Sequence, residues 1–136
     1  RRHTRYWRDW SSDVCSSDLS ERYRVSEAAA ASLTRARREG RRIIAVGTTS
    51  TRTLESLTIE EDGAVQAGAG ETALFIHPGH RFQLVSGLIT NFPLPKSSLL
   101  MLVSALGGTE LVLRAYREAV TSRYRFYSYG DALMII

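Results

Sequence analysis

The sequence predicts an α/β fold, and three observations carry that prediction. Short runs of aliphatic and β-branched residues, such as Ile43-Ile44-Ala45-Val46, read as buried strands. Amphipathic stretches with capping residues at their ends, such as Ser26 to Glu39, read as helices. The two kinds alternate along the chain, the pattern of a parallel sheet with helices packed on it. The expected architecture is part of a mixed, mainly parallel sheet with flanking helices. Its strands are parallel at the centre, with an antiparallel hairpin around His77 to His80.

The first 19 residues stand apart from this pattern. Trp7, Trp10 and the single cysteine, Cys15, fall there, and Ser11 to Asp18 is a polar near-repeat with neither helical nor strand period. Residues 1–19 read as an artefactual or disordered segment, which leaves residues 20–136 as the organised portion. The split removes four arginines and three aspartates, so a net charge of +4 becomes +3.

From Ser26 the elements follow in order. Ser26 caps a helix with Glu27 in its first turn and Ala29, Leu33 and Ala36 on one face. Arg35, Arg37 and Arg38 suit the negative end of its dipole, and Gly40 can close it. Arg42 to Val46 is a strand. Gly47-Thr48-Thr49-Ser50-Thr51 is a small, hydroxyl-rich turn, and Arg52 to Leu57 a helix with Leu54 and Leu57 inward. Glu60 to Gly70 reads as loop. Thr72 to Ile76 and Arg81 to Val85 read as two strands joined by the His77-Pro78-Gly79-His80 turn. A short strand, Gly87 to Thr90, feeds a proline-braced loop. Ser98 to Leu106 is an apolar helix, and Gly107-Gly108 breaks it. A further helix runs from Glu110 to about Thr121, capped by Thr109, with either Leu111, Ala115 and Glu118 or Val112, Tyr116 and Ala119 inward. Arg123 to Asp131 interleaves arginine with aromatics, a mix that can stack on bases and hold phosphates or pack half-buried. Ala132 to Ile136 closes the chain as a buried strand.

Composition narrows the function classes. A chain of 136 residues with 24% charged residues supports one modest core and is not a disordered composition. Its longest apolar run, Leu99 to Val103, is far too short to cross a bilayer. Arg1 to Ser20 has no apolar h-region. One cysteine cannot make an internal disulfide, so the chain fits a reducing cytoplasm. Two histidines three apart, with no carboxylate or cysteine spaced to join them, give no metal site.

Two loops can carry chemistry. In Asn91-Phe92-Pro93-Leu94-Pro95-Lys96-Ser97-Ser98, the prolines stiffen the chain. Ser97 or Ser98 caps the following helix, and Lys96 adds charge beside its free N–H groups, an arrangement that suits an anion. Lys-Ser-Ser without the preceding glycine framework is not a P-loop. In the second loop, Gly47 lets the backbone approach a ligand, and Thr48, Thr49 and Ser50 offer hydroxyls at a helix start.

From Glu21 to Ile136 the sequence resembles the C-terminal part of the S-adenosylmethionine:tRNA ribosyltransferase-isomerases of queuosine biosynthesis. The matching blocks are Arg42–Ser56, Gly70–Ile76 with Pro78-Gly79, Leu88–Ala105 and Tyr124–Ile136, in the family's order. The resemblance implies a chain lacking the N-terminal part and the β-barrel domain of the family, inactive alone. It also implies a cytoplasmic enzyme, monomeric at full length, without a membrane partner or a metal. The family usually has His after Asn-Phe, where this sequence has Pro93.

The activity implied uses S-adenosylmethionine as a ribosyl donor. The ribosyl unit moves onto the aminomethyl group of 7-aminomethyl-7-deazaguanine at the tRNA wobble position and is isomerised to give epoxyqueuosine, while adenine and methionine leave. The sulfonium acidifies the 5′ carbon, so a base is needed there and at the attacking amine, and an acid at departing adenine. The carboxylates near the hydroxyl loops are Glu55, Glu71 and Asp131, with Glu71 favoured. Substrate binding falls to Gly47, Thr48, Thr49, Ser50, Arg52, Asn91, Lys96, Ser97 and Tyr127. The competing reading is a non-catalytic nucleic-acid-binding α/β module. A third is another nucleotide binder built on the Gly47 turn. No glycine-rich turn of the conventional methyltransferase kind follows the first strand.

Overall fold

The computed structural model describes residues 20–94 and 96–136. The segment set apart at the N-terminus and Pro95 lie outside the described residues.

Five strands, four helices and a single 3-10 turn follow one another along the described chain. They are β1 (Glu21–Val25), α1 (Glu27–Arg38), β2 (Ile44–Val46), α2 (Thr48–Ser56), β3 (Gly68–Thr72), β4 (Gly87–Asn91), α3 (Ser98–Gly107), α4 (Thr109–Thr121), the turn Tyr127–Tyr129, and β5 (Ala132–Ile135). The fold is α/β, as the sequence predicts. β2, β4 and β5 form a mixed sheet in that order, β2 parallel to β4 and β5 antiparallel to it. β1 and β3 form a separate antiparallel ribbon.

Helix ends follow the sequence closely. The Ser26 hydroxyl accepts from the Ala29 amide, and Gly40 sits at φ 65°. The amides of Gly40 and Arg41 close back onto the carbonyls of Arg37 and Ala36, the paired bonds of a Schellman stop. Ser97 caps α3 by accepting from Leu100, while its own hydroxyl donates to the Leu94 carbonyl at 2.8 Å. At α4, Gly108 (φ 81°) holds the cap position, and Thr109 is already helical. Val112, Tyr116 and Ala119 are the inward face of α4.

The main core joins Ala45 and Leu88 of the sheet to Leu100, Leu102 and Val103 of α3 and to the inward face of α4. A smaller core holds Val25, Ala30, Leu57, Val65 and Leu84, and Leu54 packs against both. Ala30 rather than Ala29 is the buried alanine of α1. The helix is turned by its packing on this second cluster and by Thr34, whose hydroxyl receives the Val65 amide at 2.9 Å.

Four further expectations are corrected. The end of the stretch read as loop, from Gly68 to Gly70, opens β3 and pairs with Val25 to Tyr23 of β1. The hydroxyl-rich turn does not precede a helix; it is the first turn of α2. Gly47, at φ 92° and ψ 151°, reverses the chain in one residue, so Thr48 is helical at once. The hairpin around His77 to His80 does not form, because the backbone donors of Gln83, Leu84 and Val85 go to the Glu55 carboxylate instead of a strand partner. The final strand is only half buried. It lies at the sheet edge with Met134 59% and Ile136 73% exposed. No single helix among the described residues is long and apolar enough to cross a membrane.

Candidate functional site

Parallel pairing fixes where the site lies. β2 and β4 run side by side with Val46 opposite Ile89, so both strands end on one edge of the sheet. From that edge the chain enters α2 through Gly47 and α3 through Asn91 to Ser97. β5 runs the other way and starts there, with Ala132 opposite Asn91. Three segments therefore meet at the carboxyl edge: 47–50, 91–97 and 125–131. Crevices beyond the carboxyl ends of parallel strands, with helix N-termini facing in, are where open α/β sheets hold ligands.

Most of the sequence-predicted binding residues lie on these three segments. Gly47 donates its amide to the Ile89 carbonyl at 2.8 Å, which locks the start of α2 to the neighbouring strand. Thr49 and Ser50 are exposed, and Thr48 half-buried. Asn91 and Lys96 are exposed, and the Lys96 backbone adopts φ 62°. The Tyr127 amide donates to the Phe92 carbonyl at 3.0 Å, pinning the 3-10 turn to the β4–α3 loop. Beneath the loop, Phe92 packs on Tyr116, Tyr124 and Phe126 with ring centroids 5.2 to 5.8 Å apart. Pro93 is buried, and its carbonyl accepts from the Tyr116 hydroxyl at 2.7 Å. Position 93 in this chain is thus a packing position.

The carboxylates separate into distinct settings. Asp131 sits at the edge and is engaged locally: it accepts from the Arg125 amide and pairs with the Arg125 Nε at 3.5 Å. Glu71 is exposed on β3, where it accepts from the Ser20 hydroxyl. Its neighbour Thr72 is buried and bonds the Ser56 hydroxyl of α2, so Glu71 projects from the other face of the ribbon. Glu55 is a correction to the catalytic set. Seven residues of helix carry it about 10 Å from the start of α2, to the far end from the site. There its side chain is fully buried and accepts from the amides of Gln83 (2.7 Å), Leu84 (2.9 Å) and Val85 (2.8 Å). His80 Nε2 lies 3.2 Å from the same carboxylate. With its lone pairs occupied by the protein's own backbone, Glu55 anchors a loop.

Arg52 is likewise internal, at 5% exposure. Its Nε donates to the Leu74 carbonyl at 3.1 Å and its Nη1 to Glu21 Oε2 at 2.8 Å, while Nη2 is buried with no partner among the described residues. Glu21 is a residue the sequence reading missed. Its second oxygen accepts from the Thr49 hydroxyl at 2.7 Å, which sets a carboxylate against the first turn of α2. The alternation of Glu21, Tyr23 and Val25 is the strand signal that could have found it.

Comparison with known proteins adds what the geometry alone does not. Residues 15–135 match the family model described as queuosine biosynthesis protein. A relative from Symbiobacterium thermophilum, named S-adenosylmethionine:tRNA ribosyltransferase-isomerase, is 59% identical over 117 residues, 86% of this chain and 34% of its own length. A relative of the same name from an Anaeromyxobacter species is 59% identical over 116 residues, covering 85% of this chain and 33% of its own. A crystal structure of S-adenosylmethionine tRNA ribosyltransferase from Thermotoga maritima superposes with a TM-score of 0.76 at 49% identity, over 85% of this chain and 40% of that one. The chain spans about a third of the length of the curated relatives it matches.

Proposed function

The chain belongs to the queuosine biosynthesis protein family, and on that premise we propose that it is the C-terminal portion of the catalytic α/β domain of an S-adenosylmethionine:tRNA ribosyltransferase-isomerase. The reaction is transfer and isomerisation of the ribosyl unit of S-adenosylmethionine onto 7-aminomethyl-7-deazaguanine in tRNA, giving epoxyqueuosine in the cytoplasm. The observation that carries this reading is the meeting of the 47–50, 91–97 and 125–131 segments at one carboxyl edge.

Each group has a task at that edge. Gly47, Thr48, Thr49 and Ser50 present amides and hydroxyls to the carboxylate or ribose of S-adenosylmethionine. Lys96 and Ser97 supply charge and a hydroxyl at the start of α3, and Asn91 both donates and accepts. Tyr127 offers a ring to adenine or deazaguanine. Arg52 acts from behind, holding Glu21 against Thr49. S-adenosylmethionine supplies the sulfonium that acidifies its 5′ carbon, and a carboxylate takes that proton. Asp131 lies at the start of β5 and Glu71 is exposed on the separate β1–β3 ribbon; these two are the candidates for base and acid.

The isolated chain, given S-adenosylmethionine and tRNA carrying the aminomethyl base, is expected to yield no epoxyqueuosine, and product from it alone contradicts this reading. Residues 20–136 grafted in place of the matching third of the Symbiobacterium relative should restore turnover. In that chimera, Glu71→Gln or Asp131→Asn should lower kcat at least tenfold, within the usual contribution of a general acid or base, while tRNA affinity changes little. Normal rates from both variants would remove both carboxylates from the mechanism. The exposed Arg–Tyr segment favours one alternative, a nucleic-acid-binding module without catalysis. That alternative predicts salt-sensitive RNA binding in the chimera, no turnover and indifference to S-adenosylmethionine.

A further inference from the structure

The turn between α4 and β5 sorts its aromatics by direction. Phe126 goes inward, packing on Phe92 and Tyr116 at 5.2 and 5.6 Å. Tyr127 and Tyr129 go outward, 45% and 74% exposed. The backbone holding them is constrained. Arg123 and Tyr127 both take φ 59°, a left-handed conformation that residues with a Cβ adopt only when their surroundings impose it. At Arg123 the imposing structure is the Schellman stop of α4, with the Arg123 amide on the Val120 carbonyl and the Tyr124 amide on the Ala119 carbonyl. At Tyr127 the contact is its own amide on the Phe92 carbonyl, and the bonds from Arg125 to Asp131 close the turn. Gly130 turns the chain at φ 128°, where a side chain would meet the Arg125 guanidinium 3.1 Å away. Arg123 and Arg125 remain exposed on the same turn. A mere connection between a helix and an edge strand gains nothing from two phenol rings displayed on a pinned, strained backbone.

We propose that this turn is a stacking platform for unpaired RNA bases, with Tyr129 as its ring next to the Tyr127 ring that faces the reacting bases, and with Arg123 and Arg125 as partners for the adjoining phosphates. The inference rests on the tRNA reading above and deepens it by naming the part of the RNA that is held: the unpaired loop beside the nucleotide under modification. Rings stack only on base faces that a duplex hides, and arginine interleaved with aromatics is the composition that grips a single strand without reading its sequence. The platform adjoins the edge where α2 and α3 begin, so a loop resting on it brings its neighbouring base to that edge.

Fluorescence anisotropy of the 136-residue chain with a labelled RNA stem-loop, and with the same sequence closed as a duplex, tests this. The chain should prefer the stem-loop. Tyr129→Ala should weaken stem-loop binding by about 5- to 100-fold, whereas Tyr129→Phe, which keeps the ring, should stay within about twofold. Arg123→Ala should weaken both RNAs and flatten the salt dependence. Circular dichroism checks that each variant keeps its fold. Unchanged stem-loop binding by Tyr129→Ala, or equal weakening on loop and duplex, overturns the platform and leaves the tRNA reading standing. Absence of RNA binding by every form overturns both. If Tyr129→Ala weakens S-adenosylmethionine binding and spares RNA, the ring serves the co-substrate and the RNA assignment falls.

Discussion

At the scale of single residues, Glu55 and Tyr116 organise the molecule from inside. Glu55 satisfies three consecutive backbone amides that have no strand partner. Glu55→Gln leaves one neutral oxygen for this work and sets an amide donor among donors. Unsatisfied buried groups cost about 1–3 kcal/mol each, so urea unfolding should show a loss of about 3 kcal/mol or more. A loss under ~1 kcal/mol would mean that water or a rearranged loop takes over. Tyr116 is a separate case, because burial pushes its phenol well above the ordinary value of 10.0. The folded state therefore keeps a proton that the unfolded chain releases. The contribution is fully present below pH 10.0 and declines as pH rises beyond it. Tyr116→Phe should remove this alkaline decline, at a cost of about 1 kcal/mol near neutrality from the bond lost to Pro93. Stability measured against pH for both forms decides it. Neither role could be read in the sequence. A glutamate in a capped helix has the signature of a solvated surface residue, and the amides it serves, 28 to 30 positions away, have no signature.

Elements were legible where local chemistry fixes them. Ser26, Gly40, Ser97 and the Gly107-Gly108 pair mark helix ends by their own conformational preferences, and those ends stand within a residue of where the sequence puts them. The stretch from Thr72 to Val85 has the composition of a hairpin, yet Arg52 and Glu55 of α2 take its backbone groups at Leu74 and at 83–85. Tertiary contacts here override strand propensity, which reflects fit to a pleated surface more than an intrinsic backbone preference. The start of α2 shows the opposite balance, since one residue decides it. Gly47 has open space around its α-carbon but sits at φ 92°. Gly47→Ala therefore meets no neighbour and pays only the backbone cost, about 1–3 kcal/mol for a conformation essentially confined to glycine. Thermal unfolding should show that loss. If the helix start holds the co-substrate, S-adenosylmethionine binding in the chimera should weaken as well. Full stability in Gly47→Ala would show that the chain can enter α2 by another route.

At the scale of the whole molecule, the sheet is covered on one side only among the described residues. Ala45, Leu88 and Ile135 lie in one cross-strand row and face the helices. Val46, Ile89 and Met134 form the row on the other face, where Val46 is 67% and Met134 59% exposed. Sheets with parallel pairing ordinarily carry helices on both faces, and the edges of β2 and β5 are also unpaired among the described residues. An apolar face flanked by open strand edges is a surface that associates. The chain in isolation should therefore self-associate as its concentration rises, detectable by sedimentation velocity. Val46→Lys with Met134→Lys places charge on that face without entering the core. It should shift the distribution toward monomer while urea stability stays within about 0.5 kcal/mol, as for other surface substitutions. If the double variant associates as the parent does, the contact runs along the strand edges. If it unfolds, the face is part of a core that the exposed fractions understate.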